Sequence, residues 1–376
     1  MPVNHPKYKH FRRFAYICPV IVIPLLTWRC FTFYTNPGNE DLFAVLATHM
    51  ALALTVVIIP YGSFAISPRG LKKFIHCCNA TIQIGKRFNM SIPAQLNLQG
   101  KKSINQAISA ITTTADVFFL LIDYIFPLLI VFTCFTKYSP AYTLLRSIYN
   151  FEQDGGLFTA TIQIGSGIAI SFAAMITLSG CTLCVIITGF GLIVLYLWTL
   201  FIIPQDEETK ARKILIPPYF FDRILIHNSL KIMAIFHIEL CRAFVISRLH
   251  HLCAVVVSSG CLYYILVSST RGGESVFLVT ATSLIIIGVM TFVELFAIYF
   301  MSNAVTTSKQ FLHRVGYIYG THKYAARVLK GLLPNSMNLE FITSLCTLVN
   351  GIEMNYFLNY VERVTDNAIT LLFASK

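Results

Sequence analysis

The sequence predicts an all-α polytopic membrane protein. Seven transmembrane helices are expected, with the N-terminus cytoplasmic, the C-terminus extracellular and helices extended into the cytoplasm. Three observations predict it. Hydrophobic residues make up 56% of the 376-residue chain and charged residues only 12%, where a soluble domain carries about 25% charged residues; the mean hydropathy is +0.67. Apolar runs of membrane length recur, continuous rather than alternating, and so read as helices rather than barrel strands. The Lys and Arg residues gather in every second connection.

The first apolar run, 16–34, follows Lys7, Lys9, Arg12 and Arg13 and has no small-residue cleavage site, so it reads as a retained anchor. Clear spans follow at 42–67, 117–136, 251–269 and 276–302. The stretch 158–203 would be ~69 Å long as one helix, which exceeds a simple span. Its glycines Gly165, Gly167, Gly180, Gly189 and Gly191 offer possible breaks. Charge placement decides. With one span there, Lys and Arg number four before residue 16, seven in 68–116, seven in 204–250 and five in 303–350. The other side holds two in 137–157, one in 270–275 and Lys376. Splitting 158–203 would put one of the basic segments outside, so one span with an extended or broken end is expected. The sequons at Asn79 and Asn89 then lie inside and are expected to be unmodified.

The segments 204–250 and 303–345 are basic and partly apolar. Ile224, Ile232, Ile235, Ile238, Leu240 and Val245 recur at helix-like intervals, as expected for cytoplasmic continuations that pack into an assembly platform. Helices lying along the anionic inner leaflet are the alternative. Three regions follow: 1–303 with the first six spans, 304–350 as an anchor and assembly segment, and 351–376 as a terminal helix.

That terminal segment is long enough to span, yet Asn355, Asn359, Glu362, Asp366 and Thr370 fall on one helical face. Acids on a membrane helix are costly unless that face meets water or protein. Thr365 and Phe373 complete the candidate pore-lining set, against the alternatives of back-bonding threonines, packing for Phe373 and a Glu362 to Arg363 pair.

Candidate ligand contacts are polar and aromatic residues within spans: His49, Asp123, Tyr124, Tyr263 and Tyr264, with Tyr263 and Tyr264 preferred because they lie nearer the outside. Glu294 suits interhelical pairing better than ligand contact. Packing is the competing explanation for each of these. His250 and His251 read as solvated or headgroup-facing beside Arg248. Cys181-x-x-Cys184 has metal-pair spacing without a His or acid neighbour and reads as packing. His76-Cys77-Cys78 lacks a second ligand pair at usable spacing. No nucleophile motif or phosphate loop occurs, so neither an enzyme nor a cofactor or metal is expected. The net charge of +12 follows the membrane pattern and does not point to nucleic acid.

The inverted seven-span layout resembles the arthropod gustatory and odorant receptor superfamily. Members carry Thr-Tyr, five apolar residues and Gln-Phe near the C-terminus. Here Thr365 and Phe373 match at that spacing, while Asp366 stands for the Tyr and Leu372 for the Gln. The pattern also resembles the divergent chemoreceptor-like families of non-insect hexapods. The resemblance implies a multi-pass plasma-membrane receptor, homo- or heterotetrameric, with a co-receptor as one option. It implies a non-selective cation channel opened by a small tastant or odorant bound in the outer half. The seventh helix would line the pore, cytoplasmic helices would hold the subunits together, and no G protein would be needed. The alternatives are a G-protein-coupled receptor of opposite topology, which needs the 68–116 loop glycosylated, and a small-molecule transporter, which should show internal repeats.

Overall fold

The computed structural model describes residues 6–35, 42–66, 68–91, 98–149, 156–203, 219–243, 245–271, 276–336 and 354–374. Among these residues the chain is almost entirely helical, with short turns at 136–139 and 320–322 and an irregular stretch at 331–336, and no strand occurs. The helices are α1 (Pro6–Thr35), α2 (Leu42–Ile66), α3 (Pro68–Ser91), α4 (Leu98–Leu120), α5 (Phe126–Phe135), α6 (Pro140–Ile148), α7 (Gly156–Ile202), α8 (Tyr219–Ala243), α9 (Val245–Arg271), α10 (Val276–Tyr319), α11 (Lys323–Lys330) and α12 (Asn355–Ala374). Stretches 204–218 and 337–353, which hold parts of both expected platform segments, lie outside the described residues, as do the side chains of Asn89, Cys181, Cys184, Leu240, Val245, Arg248 and His250.

Four segments are long and apolar enough to cross a membrane: Ile104–Arg146, Gly156–Met175, His251–Thr270 and Val276–Tyr319. Shorter apolar helical stretches are Val20–Phe33, Leu42–Ala53 and Gly189–Ile202. The glycines of 158–203 do not break it, since α7 runs for 47 residues without interruption. At 1.5 Å per residue it is roughly 70 Å long, twice the ~30 Å of a hydrocarbon core. The 44-residue α10 does the same, so both helices continue well past one bilayer.

One helix does deform. Between α4 and α5 the backbone widens into a π-turn over Leu121–Ile125, where Phe126 N–H donates to the Leu121 carbonyl. Pro127 follows directly. Its ring crowds the preceding turn and it has no N–H to give, so the helix relaxes by one extra residue there. Past α5, the Gln163 side chain of α7 donates to the Phe135 carbonyl at 2.6 Å and fixes the end of that span.

α8 packs on the C-terminal parts of α7 and α10. Leu192, Leu195 and Ile202 of α7, Phe220, Leu230 and Met233 of α8, and Met301, Phe311 and Val315 of α10 form one buried cluster with Ala325 of α11. The helix-like spacing from Ile224 to Ile238 is realised in α8, with Ile224 buried and Ile232 and Ile235 exposed. Close approach of α7 to α8 needs Gly191, because a Cβ there would run into the His237 imidazole.

A polar clamp closes this region. The Asn335 amide N–H donates to Ser308 Oγ at 2.8 Å and its side chain to the His227 carbonyl at 3.0 Å. The His227 ring stacks on Phe311 with centroids 5.2 Å apart and planes 16° apart. Burial, helped by the Lys231 charge and opposed by a hydrogen bond to Asn228, pushes the His227 pKa from 6.5 down to about 4. Between those two values the unfolded chain binds a proton that the folded chain refuses, so stability rises with pH across that window and is lost as pH falls through it. At full effect the loss is about 3 kcal/mol. The unfolding midpoint of the purified protein is expected to drop from pH 7 to pH 4.5 more steeply than that of a His227→Gln variant; parallel slopes would show that His227 does not refuse the proton.

Candidate functional site

Apolar spacing on α12 gives it a buried edge and an exposed face. Tyr360, Val364 and Ala368, four residues apart, are buried, Tyr360 at 2% exposure. Tyr360 and Val364 pack with Ala254 and Val255 of α9. The Tyr360 hydroxyl meets Ser258 Oγ at 2.8 Å. The face turned away from α9 carries every residue of the polar stripe: Asn355, Asn359, Glu362, Thr365, Asp366 and Thr370 are all exposed, and Phe373 ends it at 71% exposure. The threonines keep their hydroxyls on the helix, Thr365 donating to the Val361 carbonyl at 2.9 Å and Thr370 to that of Asp366 at 2.8 Å.

α12 is held at its other edge by charge. Glu294 of α10 is fully buried and bonds through Oε1 to His251 Nδ1 of α9 at 2.5 Å. The Arg363 Nη1 of α12 lies 3.4 Å from His251 Nε2. Arginine only donates, so Nε2 must accept, and the proton of the ring sits on Nδ1 and is given to the carboxylate. The result is a directed chain from Arg363 through His251 to Glu294 that joins three helices. Tyr356 of α12 covers the imidazole, with ring centroids 5.0 Å apart. Buried charges persist in such places only when paired and hydrogen-bonded.

His251 is therefore not a headgroup contact. It is buried, because α12 folds over a position that sequence alone puts at a membrane entry. Glu294 pairs between helices, in keeping with its depth in the span. Arg363 turns to His251 on the neighbouring helix.

The candidate ligand contacts divide into two groups. Tyr264 and His49 meet: the His49 Nδ1–H donates to the Val45 carbonyl at 2.8 Å, and the Tyr264 oxygen lies 3.1 Å from the same nitrogen. Tyr263 packs edge-on against Tyr264, centroids 5.5 Å apart. Around them Phe43, Leu46, Val257, Cys261 and Val279 make an apolar cluster of α2, α9 and α10. Asp123 and Tyr124 stand elsewhere, exposed on the π-turn.

Cys77 lies 3.8 Å from His237 Nδ1, and burial pushes its thiol pKa up, away from the reactive thiolate. Among the described residues no group of three or more His, Cys, Asp or Glu is placed to hold a metal. No protein-family model, no curated protein and no solved structure matches the chain.

Proposed function

We propose that the chain is one subunit of a chemosensory, ligand-gated cation channel in the plasma membrane. In this reading seven spans run from a cytoplasmic N-terminus to an extracellular C-terminus. Four subunits turn the stripe of α12 toward a shared axis, and a small organic tastant or odorant binds near His49, Tyr263 and Tyr264. One observation carries it: α12 buries a three-residue apolar edge against α9 and leaves Glu362 and Asp366 on its exposed face. In lipid that face is costly, and in a fourfold assembly it becomes rings of acceptors and negative charge that draw cations and repel anions. The Asn335 clamp and the cluster under α8 supply a rigid base of the kind such an assembly needs.

The test is electrical. Purified wild-type protein should be tetrameric and pass cation current in a bilayer when exposed to a panel of odorants and tastants. Asp366→Asn should lower cation conductance or divalent affinity while surface expression stays unchanged. A monomer sinks the shared pore, and unaltered permeation in a conducting Asp366→Asn channel removes Asp366 from it.

A further inference from the structure

A cavity of about 220 Å³ lies between α4, α7 and α10. Its wall is made of Phe118, Phe119, Phe190, Phe292 and Phe296, with Ala115 and Gly189 as the small residues that leave it open. One hydroxyl borders it, that of Thr114, and it already donates to the Ala110 carbonyl at 2.8 Å. Phe119 and Ile186 are exposed at the rim, so the space opens sideways onto the apolar outer surface of the helices. It shares no lining residue with the Tyr264 cluster, whose buried α10 member Val279 lies 13 residues before Phe292 and whose last packed α10 residue, Met290, lies two before it.

We infer that this cavity is a binding site for a compact, uncharged, apolar molecule, one six-membered ring with a few substituent carbons. Size and chemistry both point there. A dry cavity of about 150 Å³ lined by apolar side chains accepts benzene, and this one is somewhat larger. Nothing in its wall asks for a hydrogen bond, so a ligand with a buried hydroxyl or charge would forfeit its own solvation without return. Apolar aromatic walls with an opening toward lipid let such a molecule arrive through the bilayer.

The site also has a way to be felt. Residues two apart on a helix point roughly 200° apart, so Phe292 and Phe296 face away from Glu294 on the same turn of α10. One side of that turn touches the ligand, and the other holds His251 and, through it, Arg363 of α12. Occupancy therefore bears on the helix turn that anchors α12. The binding site itself stands whether or not α12 lines a pore.

Photolabelling tests it. Purified protein is irradiated with 3-trifluoromethyl-3-phenyldiazirine, in lipid-free detergent and in phospholipid bilayers, and the labelled residues are read by mass spectrometry. Saturable labelling is expected at Phe118, Phe119, Phe292 and Phe296 in both media, displaced by excess unlabelled limonene. Ala115→Phe and Gly189→Leu, from different helices, should each reduce it at least tenfold, so one misfolding variant leaves the other to decide. Thr114→Val should leave it unchanged. Labelling spread evenly over exposed Leu128, Val131 and Phe132, or untouched by both filling variants, overturns the site. Loss of wall labelling on passing from detergent to bilayer gives the cavity to a lipid acyl chain and overturns it equally. A fall in Thr114→Val would refute the apolar class of ligand.

Discussion

Glu294→Ala is expected to lower the unfolding free energy of the purified protein by about 3 kcal/mol, the upper end of the cost of stranding a buried hydrogen-bond donor, because the acceptor it loses is charged. The carboxylate is fully buried and receives His251 Nδ1–H at 2.5 Å. Removing it leaves a ring N–H with no acceptor among apolar neighbours, and leaves the Arg363 charge without the anion that balances it through His251. Glu294→Gln should recover much of the loss, because the amide oxygen still accepts from Nδ1 while the negative charge is gone. The measurement is chemical or thermal unfolding in detergent. A double-mutant cycle with His251→Ala should show strong coupling between the two sites. A Glu294→Ala loss under about 1 kcal/mol, the range of an exposed pair, would mean the network is not sealed from water.

The second large effect lies toward the C-terminal end of α10. Phe311→Ala should cost about 3–5 kcal/mol, as a buried Phe truncation does when its surroundings cannot collapse. Phe311 is 0% exposed and shares a cluster with Phe220, Val315 and Tyr319. Collapse is obstructed because the ring it stacks on, His227, belongs to α8, whose carbonyl at His227 is pinned by Asn335. Phe311→Leu keeps most of the volume and should cost less than half as much. Equal losses in the two variants would point to the stacked ring geometry rather than the cavity. Both are read as a shift in unfolding midpoint with the slope unchanged.

How much was legible follows from which signals are local. Apolar length is local, and α2 at Leu42–Ile66 and the turn between α9 and α10 fall where hydropathy puts them, although α10 runs on to Tyr319, past the end of its apolar run at 302. The stripe of α12 was equally readable, since its period lies within one helix. His251 was misread because its nearest neighbours in sequence, Arg248 and His250, are polar, whereas its burial comes from Tyr356 and Tyr360 more than 100 residues away. A usable signal was nonetheless present. Counted from the turn between α9 and α10, His251 lies 20 residues before Arg271 and Glu294 lies 18 after Val276. Antiparallel neighbours at matching depth face one another. The clamp of Asn335, Ser308 and His227 had no such signal, for its residues come from three elements with no fixed register. The cavity of phenylalanines was invisible for the same reason. Span number and orientation rest on charge placement, and the described helices bear on them only as apolar rods of sufficient length.

The unbroken length of α10 has a mechanical side. Val279 sits in the cluster around Tyr264, Glu294 is tied to its neighbour near the midpoint, and Phe311 is locked under α8. The two arms, 15 and 17 residues long, measure about 22 and 25 Å. A stiff beam fastened at its middle does not absorb a push at one end. Because the helix is packed on both sides of that tie, a displacement near Tyr264 is handed along one rod to the Glu294 tie and the Phe311 cluster instead of being taken up by a break in the chain.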